Sequence, residues 1–130
     1  WEGVLLAQAM ASAPEAGPIH VIPAGRVIAE FVRRIESGDG VDGITSREDL
    51  FARMDDGTLD PIHINDLGAY LVALTHYAVL YQRTPVGLPR HLDRADGTPS
   101  TAPGQALADL MQRTVWDVVS TLPITGIPQN

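Results

Sequence analysis

Hydrophobic residues recur along most of the chain at the spacing of an α-helix. Side chains three and four positions apart share one helix face, so the pattern predicts helices over residues 4–13, around 27–35, over 66–82 and over roughly 104–120. The two clearest apolar stripes are Val27, Ile28, Phe31, Val32 and Ile35, and Leu67, Tyr70, Leu71, Leu74, Ala78 and Tyr81. Each predicted helix therefore has an apolar face to bury.

The run from Ile19 to Pro23 is rich in β-branched residues and lacks the alternation of a half-exposed strand. Such a run is typical of a strand covered on both faces in a parallel sheet. A single strand of that kind leaves its backbone N–H and C=O groups unpaired. Either another polypeptide supplies the neighbouring strands, or no strand forms here; we favour the first interpretation.

Other local signals divide the remaining chain. Ser46 followed by Asp49 resembles a capping box and predicts a short helix over 47–54 that buries Leu50, Phe51 and Met54. Turn or irregular structure is predicted at Asp55–Thr58, in a long loop over 85–104 and in the tail from Leu122 to Asn130. We expect one domain or part of one, since the chain has 130 residues.

The composition excludes several classes of function. The formal net charge is −7, which argues against broad binding to nucleic acid or to an anionic membrane. Cysteine is absent, so disulfides, thiolate metal sites and cysteine nucleophiles are excluded. No apolar run reaches the roughly 18 residues of a membrane span. The chain begins with Trp1, so we expect a processing point or the start of a fragment; localisation stays open between cytoplasm and a bacterial periplasmic or secreted location.

The most informative stretch lies just before the helix over 66–82, for which Asn65 is a natural N-cap. Asp60 stands three residues before His63, and Pro61 disfavours helix at Asp60, so we place both on a loop. A carboxylate at this distance can fold back onto the imidazole Nδ1–H, fixing the tautomer while Nε2 takes a proton. That is the base half of a nucleophilic triad. The competing interpretation is that both side chains make only local capping bonds.

The other candidate residues have plainer explanations. A metal held by Asp60, His63 and Asp66 is chemically reasonable, but Asp66 is better explained as an acid in the first turn of a helix. We therefore predict no metal and no cofactor. We interpret His20 as a core residue in an apolar strand, His76 as a packing or partner contact and His91 as a solvated loop residue.

Asp60-Pro61-Ile62-His63 followed by Asp66-Leu67-Gly68-Ala69-Tyr70-Leu71 resembles the last conserved block of the SGNH (GDSL-type) hydrolases. The resemblance covers residues 18–82, and the part after Pro85 looks like a lineage-specific extension. It implies a three-layer α/β/α, flavodoxin-like fold. This chain would supply the C-terminal part of that fold, mostly helices plus one or two parallel strands. On this resemblance Asp60 and His63 take the acid and base positions of a Ser-His-Asp triad.

The chain departs from the family in lacking Gly-Asp-Ser, which carries the nucleophile, and Gly-x-Asn-Asp, which supplies an oxyanion donor. We therefore expect an ester hydrolase whose serine and oxyanion hole come from an N-terminal segment or a second polypeptide. Its substrate would be a small ester, with acetylated sugar, lipid and aryl ester not distinguished. The alternative is a non-catalytic helical interaction module.

Overall fold

The computed structural model describes residues 2–128, which form four α-helices and one two-stranded sheet. The helices are α1 (Glu2–Ser12), α2 (Ala24–Glu36), α3 (Asp66–Tyr81) and α4 (Gln105–Val119), and the strands are β1 (Phe51–Arg53) and β2 (Leu59–Ile64). Short 3-10 helices occupy Pro14–Ala16, Arg47–Leu50 and Pro123–Thr125. The four long helices predicted from the hydrophobic pattern are confirmed, and the chain has the mixed α/β character that was expected.

The core forms where α2, α3 and α4 pack against one another. The buried apolar side chains of these three helices are Val27, Phe31, Ile35, Tyr70, Leu71, Leu74, Ala78, Val79, Leu107, Ala108, Met111, Val115 and Val119. Arg34 of α2 also donates to Asp117 Oδ2 of α4 at 2.9 Å. In contrast, every described side chain of α1 except Leu6 is exposed. None of the described helices is long and apolar enough to cross a membrane.

The sheet is an antiparallel hairpin, so the expectation of parallel strands is wrong for the part of the chain that the structure describes. Phe51 pairs with Ile64 and Arg53 with Leu59, and the predicted turn at Asp55–Thr58 joins the strands. A connection this short brings back a strand only in the antiparallel direction. These residues therefore do not display the flavodoxin-like fold that the family resemblance implies.

The predicted helix over 47–54 is only partly correct. Its beginning is confirmed, because Arg47–Leu50 is a 3-10 helix and Ser46 N–H donates to Asp49 Oδ2 at 3.0 Å. From Phe51 onward the chain pairs with β2 instead. Leu50 is buried, but Met54 is 51% exposed. The pairing with β2 is a non-local contact that outweighs the local helical pattern.

The segment from Ile19 to Pro23 is not a strand, so that prediction is wrong. Val21 N–H donates instead to the carbonyl of Ile124 in the C-terminal 3-10 turn, at 2.8 Å. Among the described residues both strands belong to the hairpin, which leaves this segment without a partner strand. The alternative of no strand at this position is the one observed.

The long loop over 85–104 is fastened to the core by one buried amide. Gln112 of α4 donates from Nε2 to the Tyr70 hydroxyl and to the Leu88 carbonyl, both at 2.9 Å. Its Oε1 accepts from Gly87 N–H at 2.8 Å. Because every polar atom of this buried side chain has a partner, the loop has a defined position over α3 and α4.

The junction between hairpin and helix depends on Asn65. Its Oδ1 accepts the N–H groups of Leu67 and Gly68 at 3.0 and 3.1 Å, which confirms the predicted N-cap of α3. Its Nδ2 donates to the carbonyls of Asp49 and Phe51 at 2.8 and 3.2 Å. One side chain thus begins the helix and holds the preceding hairpin against it.

Gly68 lets the hairpin approach the first turn of α3. A Cβ atom on this buried residue would lie 2.6 Å from the Leu50 carbonyl oxygen and 2.8 Å from Ile64 Cβ. Those atoms belong to the backbone and to a branched side chain, so neither can move aside without shifting the hairpin. Gly68 therefore fixes the distance between α3 and β2.

We predict that Gly68→Ala lowers the free energy of unfolding by about 1–3 kcal/mol, the usual cost of overpacking. Gly25→Ala is the control, because Gly25 is an exposed helical glycine with nothing within 4 Å of its missing Cβ. That change should leave stability unchanged or slightly increased. Urea unfolding measures both, and equal stabilities for the two variants would contradict the proposed close packing.

Candidate active site

Asp60 and His63 both lie on β2, and not on a loop as predicted. The hairpin pairing extends the strand through Ile64, directly up to the N-cap of α3. Pro61 is compatible with this position because the two-stranded sheet pairs β2 along one edge only, among the residues described. The strand is anchored to α3 through the Asn65 junction, and this anchoring positions the two polar side chains.

The structure brings the two side chains together. Asp60 Oδ2 lies 2.7 Å from His63 Nδ1. The other carboxylate oxygen, Oδ1, accepts the backbone N–H groups of Ile62 and His63 at 2.9 and 3.1 Å. These bonds turn the carboxylate back along its own strand toward the imidazole. The Asp60 side chain is only 18% exposed, so most of it is covered by neighbouring residues in this geometry.

The same hydrogen bonds favour the ionised carboxylate. The backbone N–H of Ile62 contributes most, followed by the imidazole and the backbone N–H of His63, and together they lower the pKa of Asp60 to about 2. An ionised Asp60 accepts a hydrogen bond from Nδ1–H and leaves the lone pair of a neutral ring on Nε2. A neutral His63 ring in this contact therefore takes the tautomer that a general base requires, with the proton on Nδ1.

His63 Nε2 points to no protein group in the described chain. The His63 side chain is 75% exposed. Among residues 2–128, its ring forms a hydrogen bond with Asp60 and with no other group. Nε2 is thus open to a group that approaches from outside these residues. An oriented imidazole with a carboxylate on one nitrogen and a free lone pair on the other can accept a proton from a hydroxyl or a water molecule.

Four of the five serines of the chain make local hydrogen bonds in the described residues. Ser37, Ser100 and Ser120 donate to the carbonyls of Arg34, Leu92 and Trp116 respectively. The Ser46 hydroxyl contacts Asp49 at the start of the 3-10 helix. None of these four hydroxyls bonds to His63.

Asp66, a possible metal ligand, contacts the loop over 85–104 instead. Its Oδ2 lies 2.6 Å from Arg94 Nη2 and accepts Thr101 N–H at 2.8 Å. The hydrogen bond from Arg94 is the main reason that its pKa is lowered to about 2. The residues from 2 to 128 contain no group of three His, Asp or Glu side chains arranged to hold a metal ion.

None of the other three histidines forms a hydrogen bond with Asp60 or His63 in the described residues. His20 is exposed beside Gly126, so its prediction as a core residue is wrong. His76 is exposed, with Nδ1 2.9 Å from the Val72 carbonyl of its own helix, and His91 is exposed as predicted. Sequence analysis missed Arg94, which is 28 positions from Asp66 and carries no local signal of that contact.

Comparisons with protein-family models, with curated proteins and with solved structures give no match for this chain. The geometry of Asp60 and His63 is therefore the observation from which a function has to be argued.

We predict that the Asp60 carboxyl titrates near pH 2 in the folded protein, and not near the ordinary value of ~3.9. A pKa lowered by folding means that ionised Asp60 stabilises the native state above pH ~4 and that this contribution disappears as the pH falls toward 2. Asp60→Asn should consequently destabilise the protein more at pH 6 than at pH 2.5. Carbon-13 NMR of the carboxyl group and urea unfolding at the two pH values measure these effects.

Asp55→Asn is the matched control, since the Asp55 carboxylate in the adjoining turn accepts no hydrogen bond from residues 2–128. Its effect on unfolding at pH 6 should be smaller than that of Asp60→Asn. A titration midpoint for Asp60 near 4 would contradict the interpretation.

Proposed function

We propose that Asp60 and His63 are the acid and base of a Ser-His-Asp triad in an SGNH-type ester hydrolase. Another stretch of polypeptide, either an N-terminal segment or a partner chain, would carry the serine and the oxyanion donors. The observation that carries this proposal is the 2.7 Å contact between Asp60 Oδ2 and His63 Nδ1, combined with an open Nε2.

In this mechanism the serine hydroxyl attacks the carbonyl carbon of the ester while His63 Nε2 takes its proton. Ionised Asp60 accepts the hydrogen bond from Nδ1–H and stabilises the imidazolium that forms. The proton then passes from Nε2 to the leaving alcohol, and an acyl-enzyme remains. A water molecule then attacks the acyl-enzyme and gives its proton to Nε2. The bond between the acyl group and the serine oxygen breaks, the proton returns to that oxygen, and the carboxylic acid is released.

The exposure of His63 supports a missing neighbour. Bulk water competes with the serine for proton transfer to a base that is 75% exposed, unless a substrate or another part of the protein covers that base. Ile62 beside it is 78% exposed, and apolar side chains of α1 such as Leu5 are 60% exposed. These uncovered apolar groups are consistent with a further polypeptide packed over the hairpin and α1.

A closed core within the chain favours the second candidate function, a non-catalytic helical interaction module. The helices α2, α3 and α4 bury their apolar faces against each other without help from another chain. Expression of residues 1–130 alone, with and without a polypeptide that bears Gly-Asp-Ser, distinguishes the two. Hydrolysis of p-nitrophenyl acetate by the combination supports the hydrolase, whereas a stable fold without hydrolysis in either sample supports the module.

We predict that His63→Ala lowers p-nitrophenyl acetate turnover by the assembled protein by about 10⁴-fold or more, because no other group would activate the serine. Asp60→Asn should lower it as well, through loss of the correct tautomer. His91→Ala is the control, since His91 is exposed in the loop over 85–104, and its turnover should be unchanged. Full activity of the His63 variant would refute the proposal.

We also predict that kcat/KM for the assembled protein falls as the solution is acidified from neutral pH. A protonated imidazole has no lone pair on Nε2 and cannot accept the serine proton. The logarithm of kcat/KM should decrease with a slope of one on the acid side. A flat profile between pH 4 and pH 8 would contradict a role for His63 as base.

A further inference from the structure

A depression of about 300 Å³ lies between α4 and the first part of the loop over 85–104. Residues 87–91 of the loop form one wall, and Gln105, Ala108, Asp109 and Gln112 of α4 form the other. These four positions are three, four and seven residues apart, so they share one face of the helix. The volume lies at the lower end of the range for sites that hold a small molecule.

Hydrogen bonds hold the two walls at a fixed distance from each other. The buried Gln112 side chain of α4 accepts from the Gly87 N–H and donates to the Leu88 carbonyl. On the loop, Arg90 Nη1 donates to the carbonyl of Pro103, just before the N-terminus of α4, at 2.9 Å. The walls are therefore in place before a ligand arrives, which lowers the entropic cost of binding one.

Two opposite charges line this depression. Arg90 spends one guanidinium N–H on Pro103, and none of residues 2–128 accepts a hydrogen bond from its other N–H groups. Asp109 Oδ1 accepts from Gln105 Nε2 at 2.8 Å, and none of the described groups donates to Oδ2. Arg90 and Asp109 form no ion pair with each other in this part of the chain. Each charge therefore keeps hydrogen-bonding capacity for a ligand.

Both charges act on one buried hydroxyl group. Burial is the main reason that the pKa of Tyr70 is raised; the hydrogen bond from Gln112 lowers it, Asp109 raises it and Arg90 lowers it. Because the interaction between charges weakens with distance, the carboxylate and the guanidinium both lie near this hydroxyl. They are consequently close enough to each other for one small molecule to contact both.

The charges define the ligand that the depression fits. An anion that pairs with Arg90 faces the Asp109 carboxylate, and a cation that pairs with Asp109 faces the Arg90 guanidinium. A molecule that carries both a carboxylate and an ammonium group makes two favourable contacts and avoids both repulsive ones. His91 and Gln105 line the same walls and offer further hydrogen bonds to its polar groups.

We propose that this depression binds a small zwitterion, an amino acid or a short amino-carboxylate, with its carboxylate on Arg90 and its ammonium group on Asp109. Asp60 and His63 do not line the depression, so this binding goes beyond the proposed function and is independent of the triad.

Binding is tested by NMR titration of the 130-residue chain with glycine, β-alanine and γ-aminobutyrate, which separate the two charges by increasing lengths. Acetate and methylammonium carry the same charges singly. At least one of the zwitterions should shift the resonances of Arg90, Gln105 and Asp109. We expect it to bind about tenfold or more tightly than either single-charge probe, because it alone forms both charge-assisted contacts.

Asp109→Asn removes the negative charge and keeps an oxygen that accepts from Gln105. It should weaken zwitterion binding about tenfold or more and leave acetate binding unchanged or tighter. Asp39→Asn is the matched control, because Asp39 is exposed after α2, outside the depression, and its replacement changes the net charge equally. That variant should bind the zwitterion as the parent chain does.

Equal zwitterion affinity in the Asp109 and Asp39 variants would overturn the proposal. Acetate binding as tight as that of the zwitterions would overturn it as well, because Arg90 would then form a simple anion site. The absence of resonance shifts with all three zwitterions in the parent chain would also contradict it.

Discussion

The attachment of the β1–β2 hairpin to the first turn of α3 is the constraint on which the rest of the site depends. Asn65 satisfies two N–H groups of the helix and two carbonyls of the preceding chain with a single amide. Gly68 allows the two elements to approach closely enough for those bonds. Since β2 carries both Asp60 and His63, this junction decides where the imidazole stands relative to the core formed by α2, α3 and α4.

The local chemistry at the end of β2 follows from that position. Three hydrogen bonds keep the Asp60 carboxylate ionised and aimed along its own strand at Nδ1 of His63. The opposite nitrogen is left open toward solvent. The carboxylate of Asp66 bonds to Arg94 and Thr101 and not to this pair. These bonds hold the long loop beside the site. Two acids that are close in sequence thus have separate tasks, one electrostatic and one structural.

Helix positions could be predicted from the sequence because each apolar stripe of α2, α3 and α4 is buried against the other two. The spacing of Asp60 and His63 indicated that the carboxylate can reach the imidazole, with local capping bonds as the competing interpretation, and the structure shows that contact. The hairpin could not be predicted, since its register depends on pairing between Phe51 and Ile64 across a turn. The run from Ile19 to Pro23 was wrongly predicted as a strand because β-branched composition does not supply a partner. The contact between Asp66 and Arg94 joins distant positions and leaves no local pattern.

The proposed triad requires that a serine from another stretch of polypeptide meets His63 Nε2. The most direct measurement is a crystal structure of the assembled protein after labelling with a fluorophosphonate, which reacts with activated serines. We expect a phosphonylated serine whose Oγ lies about 3 Å from Nε2. Labelling of a serine remote from His63, or no labelling of an assembly that hydrolyses esters, would contradict it.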